Sequence, residues 1–162
     1  MMNVLTIKGI IDEDFVNYKL PSMTIMFPKC SFKCDKESGR TLCQNSSLAN
    51  EPDIVVGVRS LCERYVRNDI TKAVVMQGLE PMDSFEEAIA FTKYLRKSYQ
   101  CDDDIVIYTG YTPNEIEEKI ERLKPFGNIV IKYGRYVDGQ KNHYDDVLGV
   151  FLSSDNQYAV RL

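Results

Sequence analysis

The stretch AVVMQGLEPMDSFEEAI, residues 73–89, decides how this chain is laid out. Ala73 to Met76 form a short apolar run of the kind found in buried strands. Gln77 and Gly78 end it. Ser84-Phe85-Glu86-Glu87 then has the form of a capping box, opening a helix that runs to about Lys97. A buried strand, a Gly-containing turn and a helix in succession make half of a βαβ unit.

The same grammar recurs on both sides. MTIMF (23–27) predicts a strand, followed by a cysteine-rich loop and a helix near 51–68 whose apolar stripe is Ile54, Val58, Leu61, Cys62 and Tyr65. DIVIYTG (104–110) predicts a third strand. Thr112-Pro113-Asn114-Glu115 is a second capping box with proline at the first helical position, and its helix carries Ile116, Ile120 and Leu123. NIVIKYG (128–134) predicts a fourth strand and VLGVFL (147–152) a short fifth. Strands alternating with helices imply an α/β fold with a mostly parallel sheet, as a single domain over residues 1–162. The chain is too short for eight units, so the sheet is expected to be open or a partial barrel. Each strand ends in a polar tail (PKC, QGLEP, TGY, KYG), and such C-terminal ends are where α/β proteins bind ligands.

Composition narrows the setting. The chain has 162 residues, 44% of them hydrophobic and 27% charged, in the ordinary range for a globular protein. A net charge of −4 argues against nucleic acid or an anionic membrane as a partner. The opening MMNVLTIKGIIDEDF lacks the form of a signal peptide, and no apolar run approaches the ~20 residues of a membrane span. A cytoplasmic location is expected, and there lasting disulfides are rare.

Against that background, PKCSFKCDKESGRTLCQN (28–45) places Cys30, Cys34 and Cys43 in the pattern C-x3-C-x8-C. Cys62 belongs to an apolar helical stripe and Cys101 precedes an acidic loop; neither setting suggests a ligand. The other three sit among charged residues, where a small hydrophobe has nothing to pack against. Structural zinc wants four ligands, usually in C-x2-C pairs, and the only histidine, His143, is distant in sequence. Three thiolates without an evident fourth suit a [4Fe–4S] cubane with one open iron, although spacing alone leaves zinc open. The intervening Asp35–Leu42 excursion, charged and with Ser38-Gly39 at its middle, is expected to be a surface element.

An open-site cubane after the first strand of a parallel βα array resembles the radical S-adenosylmethionine (SAM) enzymes. Among them the chain resembles the activating proteins of anaerobic (class III) ribonucleotide reductase. Cys43-Gln44-Asn45 is similar to the Cys-aromatic-Asn that closes the family's cluster loop. Gln77-Gly78-Leu79-Glu80-Pro81 resembles the Thr-Gly-Gly-Glu/Asp-Pro segment that holds the methionine end of the cofactor. Tyr108-Thr109-Gly110-Tyr111, Gly134-Arg135-Tyr136 and Ser154-Asp155-Asn156-Gln157 resemble Trp-Thr-Gly-Tyr, Asp-Gly-Arg-Phe and Ser-x-Asn-Gln. The departures are a six-residue expansion of the usual C-x3-C-x2-C loop, Leu79 for a glycine, Tyr133 for an aspartate and Tyr158 for an arginine.

The resemblance implies a radical SAM type of open partial (β/α) barrel with about five to six mostly parallel strands. It implies a [4Fe–4S] cluster on Cys30, Cys34 and Cys43, and S-adenosyl-L-methionine held by Gln77, Gly78, Leu79, Glu80, Thr109 and Lys132. Glu80 would accept from the cofactor's ammonium group, and Gly78 would let the backbone run close beside the methionine. The activity implied is reductive cleavage of SAM to a 5′-deoxyadenosyl radical that abstracts hydrogen. The substrate implied is a glycine of a glycyl-radical enzyme, anaerobic ribonucleotide reductase, with a flavodoxin- or ferredoxin-like electron donor. A radical SAM enzyme acting on another peptide or small molecule, and a non-catalytic zinc-binding interaction module, are the alternatives. Among single Cys→Ala variants reconstituted anaerobically, those at Cys30, Cys34 and Cys43 are expected to lose iron and sulfide. Those at Cys62 and Cys101 should retain both. Full cluster content in any of the first three overturns the assignment.

Overall fold

A computed structural model describes residues 2–30 and 46–162. Its centre is a six-stranded sheet in the order β10-β7-β6-β5-β3-β2. Four neighbouring strands are parallel: β3 (Ser22–Phe27), β5 (Ala73–Gly78), β6 (Asp104–Tyr108) and β7 (Ile129–Tyr133). Antiparallel strands flank them, β2 (Gly9–Asp14) beside β3 and β10 (Tyr158–Arg161) beside β7. The class is therefore α/β with a mostly parallel sheet, as the alternation of elements predicts.

Both faces of the sheet are covered, which is why its strands read as continuous apolar runs. On one face Ile25, Phe27, Val74, Met76, Ile105, Ile107, Ile129 and Ile131 pack against three helices, α1 (Val58–Val66), α2 (Phe85–Lys97) and α3 (Glu117–Leu123). The helices contribute Leu61, Cys62, Phe91, Leu95, Ile120 and Leu123 to this layer. On the other face the side chains are smaller: Ala73, Val75, Val106, Val130 and Ala159. They are covered by Tyr18, from the segment after β2, and by Leu148 and Leu152. Each fully buried aliphatic side chain contributes about 1.5–3 kcal/mol of transfer free energy. Cys62 is enclosed in the helix-side core, where desolvation pushes its thiol up to about 12, as expected of a packing cysteine.

Three sequence expectations are corrected. The helix expected over 51–68 begins only at Val58, because Ile54–Gly57 is a strand, β4, paired antiparallel with β1 (Val4–Ile7). Three successive β-branched residues, Ile54 to Val56, outweigh the helical spacing of Ile54 with the later stripe. The Ser84 capping box does not form: Ser84 makes no capping bond, its Oγ is buried without a partner, and Glu87 accepts from the Thr6 N–H at 2.6 Å. The chain instead enters α2 through a 3-10 turn, Pro81–Ser84, capped upstream by Glu80, so Ser84 is not at the start of the coil. The fifth strand expected over 147–152 is only Val150–Leu152 (β9), in a separate hairpin with β8 (His143–Asp145). The Asp145 carboxylate accepts from Leu148 N–H at 2.9 Å and Gly149 has φ +73°, so the first half of that segment is turn. The Thr112 capping box does form, leading through a 3-10 turn, Pro113–Ile116, into α3.

Gly78, which lines the cavity described below, is also constrained by the fold itself. Its φ is +94°, and a Cβ there would lie 2.5 Å from the Phe27 nitrogen and 2.7 Å from the Met26 Cα. Glycine is thus required by the neighbouring strand β3. Gly78→Ala is expected to destabilise the fold by about 2–4 kcal/mol. Urea denaturation followed by circular dichroism measures it; an unchanged midpoint would mean that the two strands separate at no cost.

Candidate functional site

Side chains alternate along a strand, so the residue two beyond each small-faced valine emerges on the same side at the C-terminal end. Gln77 follows Val75, Tyr108 follows Val106 and Lys132 follows Val130. These three, with the turns that follow their strands, line a cavity of about 340 Å³. That volume lies within the roughly 300–1,000 Å³ of small-molecule sites. All six residues assigned to a cofactor, Gln77, Gly78, Leu79, Glu80, Thr109 and Lys132, line it together with Cys30. Cys34 and Cys43, the Asp35–Leu42 excursion and the Cys43-Gln44-Asn45 motif lie outside the described residues.

Glu80 is the most constrained of the group. It is only 5% exposed, yet its carboxylate accepts from Gly110 N–H at 2.8 Å through Oε1 and from Met82 N–H at 3.0 Å through Oε2. The Thr109 hydroxyl also hydrogen-bonds it. Burial nevertheless dominates these donors and raises its pKa above the ordinary carboxylate range. Thr109 is buried as well, and its Oγ1 accepts from Tyr111 N–H at 3.0 Å, so its hydroxyl is engaged within the wall.

Lys132 supplies the opposite charge. At 6% exposure, its ammonium donates to the Gly134 carbonyl at 2.9 Å and stands 5.9 Å from the centre of the Tyr108 ring. Gly134 is also held by Gln157, whose Nε2 donates to the same carbonyl at 3.2 Å. Asn156 Nδ2 donates to the Arg135 carbonyl at 2.7 Å, and Ser154 Oγ accepts from Val137 N–H at 3.2 Å. The Ser154–Gln157 segment thus clasps the Gly134–Val137 turn against the end of β7, and two motifs separate in sequence become one corner of the cavity. Positions 133 and 158, both departures from the resembling pattern, are directly opposed in the β7–β10 ladder. Their two tyrosine rings pack at 5.5 Å as one cross-strand pair.

The remaining wall was not among the residues assigned from sequence. Tyr108, Gly110, Gly134 and Arg135 line the cavity from the strand ends. Tyr108 was readable from the period of two along β6. Val16, Asn17 and Val150–Ser153 come from the segments covering the small-faced side and carried no local signal. Their seat is fixed by the Tyr108 hydroxyl, which donates to the Asn17 carbonyl at 2.5 Å, and by Asp14, which accepts from Val16 N–H at 2.8 Å and from the Thr24 hydroxyl at 2.5 Å.

A mostly parallel α/β sheet thus carries Cys30 in the lining of a charged cavity at its strand ends. Residues 22–159 match the model of the 4Fe-4S single cluster domain family, and the chain belongs to that family. No curated protein and no solved structure matches the chain. Among the described residues no group of three or more His, Cys, Asp or Glu side chains is disposed to hold a metal ion, and no helix is long and apolar enough to cross a membrane.

Proposed function

We propose that this chain is a radical SAM enzyme, with its [4Fe–4S] cluster on Cys30, Cys34 and Cys43 and S-adenosylmethionine in the adjoining cavity. One observation carries the proposal. Cys30 and all six residues assigned from sequence to SAM line a single cavity at the ends of parallel strands. The family membership supports a 4Fe–4S cluster over zinc. When bound, the cluster and SAM supply the one-electron cleavage and the hydrogen abstraction that follows, and the protein supplies binding, orientation and exclusion of solvent.

The chain's own residues divide that work. An ionised carboxylate has about four acceptor sites, and the three protein donors on Glu80 leave one for an ammonium group. Lys132, close by at the end of β7, suits a carboxylate. The proposed substrate is a glycine Cα–H of a glycyl-radical enzyme, anaerobic ribonucleotide reductase, with a flavodoxin- or ferredoxin-like protein as electron donor. The cavity's own rim supports a protein substrate. Val16 and Phe151 line it while 74% and 68% exposed, and Phe151 packs edge-on against the exposed Tyr144 at 5.4 Å. Exposed apolar surface of this kind favours a protein partner that seals the site on docking. Leu79 favours a second reading: where the resembling segment has glycine, a leucine side chain lines the cavity, as suits a radical enzyme acting on a different peptide or small molecule.

The test is to reduce the reconstituted protein anaerobically with SAM and an anaerobic ribonucleotide reductase from the same genome, then record the electron paramagnetic resonance spectrum. A glycyl doublet dependent on SAM and on Cys30 is expected. Cleavage of SAM without a protein radical transfers the case to the second reading, and no cleavage at all rejects both. Glu80→Gln is expected to keep its cluster while losing a charge-assisted hydrogen bond of about 1.5–3 kcal/mol, a roughly 10- to 150-fold weaker SAM affinity by calorimetry. Unchanged affinity would reduce the QGLEP segment to a strand terminator.

A further inference from the structure

Lys8, between β1 and β2, is a charged residue that neither the cavity nor the core accounts for. Its side chain is 7% exposed. The ammonium donates to the carbonyls of Ala49 at 3.4 Å and Glu51 at 2.5 Å, and pairs with Asp53 Oδ1 at 2.7 Å. An ammonium has three hydrogens, and these are three acceptors, so the head group is satisfied by one short segment. The backbone of the same residue points elsewhere: Lys8 N–H donates to the Met26 carbonyl in β3 at 2.7 Å.

Those two attachments lie on opposite arms of the cysteine segment. Met26 precedes Cys30 by four positions, and Ala49 follows Cys43 by six. The upstream arm is also tied to the cavity wall, since Leu79 N–H donates to the Phe27 carbonyl at 3.1 Å and Glu80 N–H to the Lys29 carbonyl at 2.8 Å. For the downstream arm, the β1–β4 ladder resumes only at Ile54, leaving residues 46–53 dependent on other ties. A cluster needs its thiolates brought to one point from both arms, and loss of outer contacts that orient ligands characteristically loosens a metal site.

We propose that Lys8 is a positioning residue of the cluster site, clasping the downstream arm of the cysteine segment to the strand that leads into Cys30. The proposal rests on the ligand assignment made above. A buried lysine that serves stability alone would show the same hydrogen bonds, so the test needs a signature that stability does not move.

Wild type, Lys8→Met, Lys8→Arg, Asp53→Ala and Cys30→Ala are reconstituted anaerobically. Iron content, the rate of iron release to a chelator and the resonance of the reduced cluster are compared, with circular dichroism of each apo form as the folding control. Lys8→Met is expected to fold, to release iron about tenfold or more faster, and to give an altered cluster resonance. Lys8→Arg, which keeps the charge and the donors, is expected to restore both towards wild type. Should Lys8→Met not fold, Asp53→Ala carries the test: its carboxylate is 54% exposed, and its loss is expected to speed release about two- to fivefold. Wild-type release and an unaltered resonance in the folded variants overturn the clasp. Cys30→Ala separates the two claims, because full iron in that variant overturns the ligand assignment and the clasp with it, whereas its loss leaves the Lys8 result to stand alone.

Discussion

Where β5 ends, its backbone passes so close to β3 that only a glycine fits, and the rest of the rim follows from that approach. Past Gly78 the two strands stay joined, with Leu79 and Glu80 donating to the Phe27 and Lys29 carbonyls. The first cysteine arm is thereby held against the start of the acidic turn. Glu80 then reaches across to Gly110 after β6, and Thr109 N–H donates to the Lys132 carbonyl in β7 at 2.8 Å. Gly134 N–H in turn donates to the Tyr111 carbonyl at 3.1 Å. Each strand end is tied to the next by a named bond, backbone to backbone except where the Glu80 carboxylate bridges to Gly110.

Two ionisable groups, Glu80 and Lys132, are buried in that wall. A carboxylate with its pKa raised by burial is one whose ionised form the fold disfavours, and such groups collect where a protein holds a ligand. Glu80 retains several protein donors despite that, and Lys132 is turned onto the Gly134 carbonyl. The tyrosine pair at 133 and 158 packs ring to ring across the β7–β10 ladder, with Tyr133 in the helix-side core.

The four parallel strands were legible because burial on both faces made them continuous apolar runs. The antiparallel edges were not. In β2, Gly9–Asp14 is half acidic, and β10 alternates exposed Tyr158 and Val160 with buried Ala159, a pattern too short to separate from loop. Ile54 fitted a helical stripe by spacing, but its run of β-branched neighbours and its partners in β1 made it a strand. Ser84 had the right residues in the right order but stood one turn too late, since Glu80 had already capped the chain. At the site, residues borne on strand ends could be read from motif and period. Val16 and Val150–Ser153 reach the cavity by tertiary folding alone and left no mark in the local sequence. The β3 constraint on Gly78 was hidden for a related reason, because the nearest crowding atom belongs to Phe27, 51 positions away.

The clasped arms also bear on why a lengthened cysteine segment is tolerated. Pairing β3 with β5 closes everything between Phe27 and Ala73 into one loop, and the entropy lost in closing a flexible loop grows only as the logarithm of its length. Six added residues in a loop of that size raise the closure cost by about 0.1 kcal/mol. With the joints on either side fixed, length between the second and third cysteines is nearly free thermodynamically. The segment can therefore change in sequence and size while the sheet beneath it keeps its register.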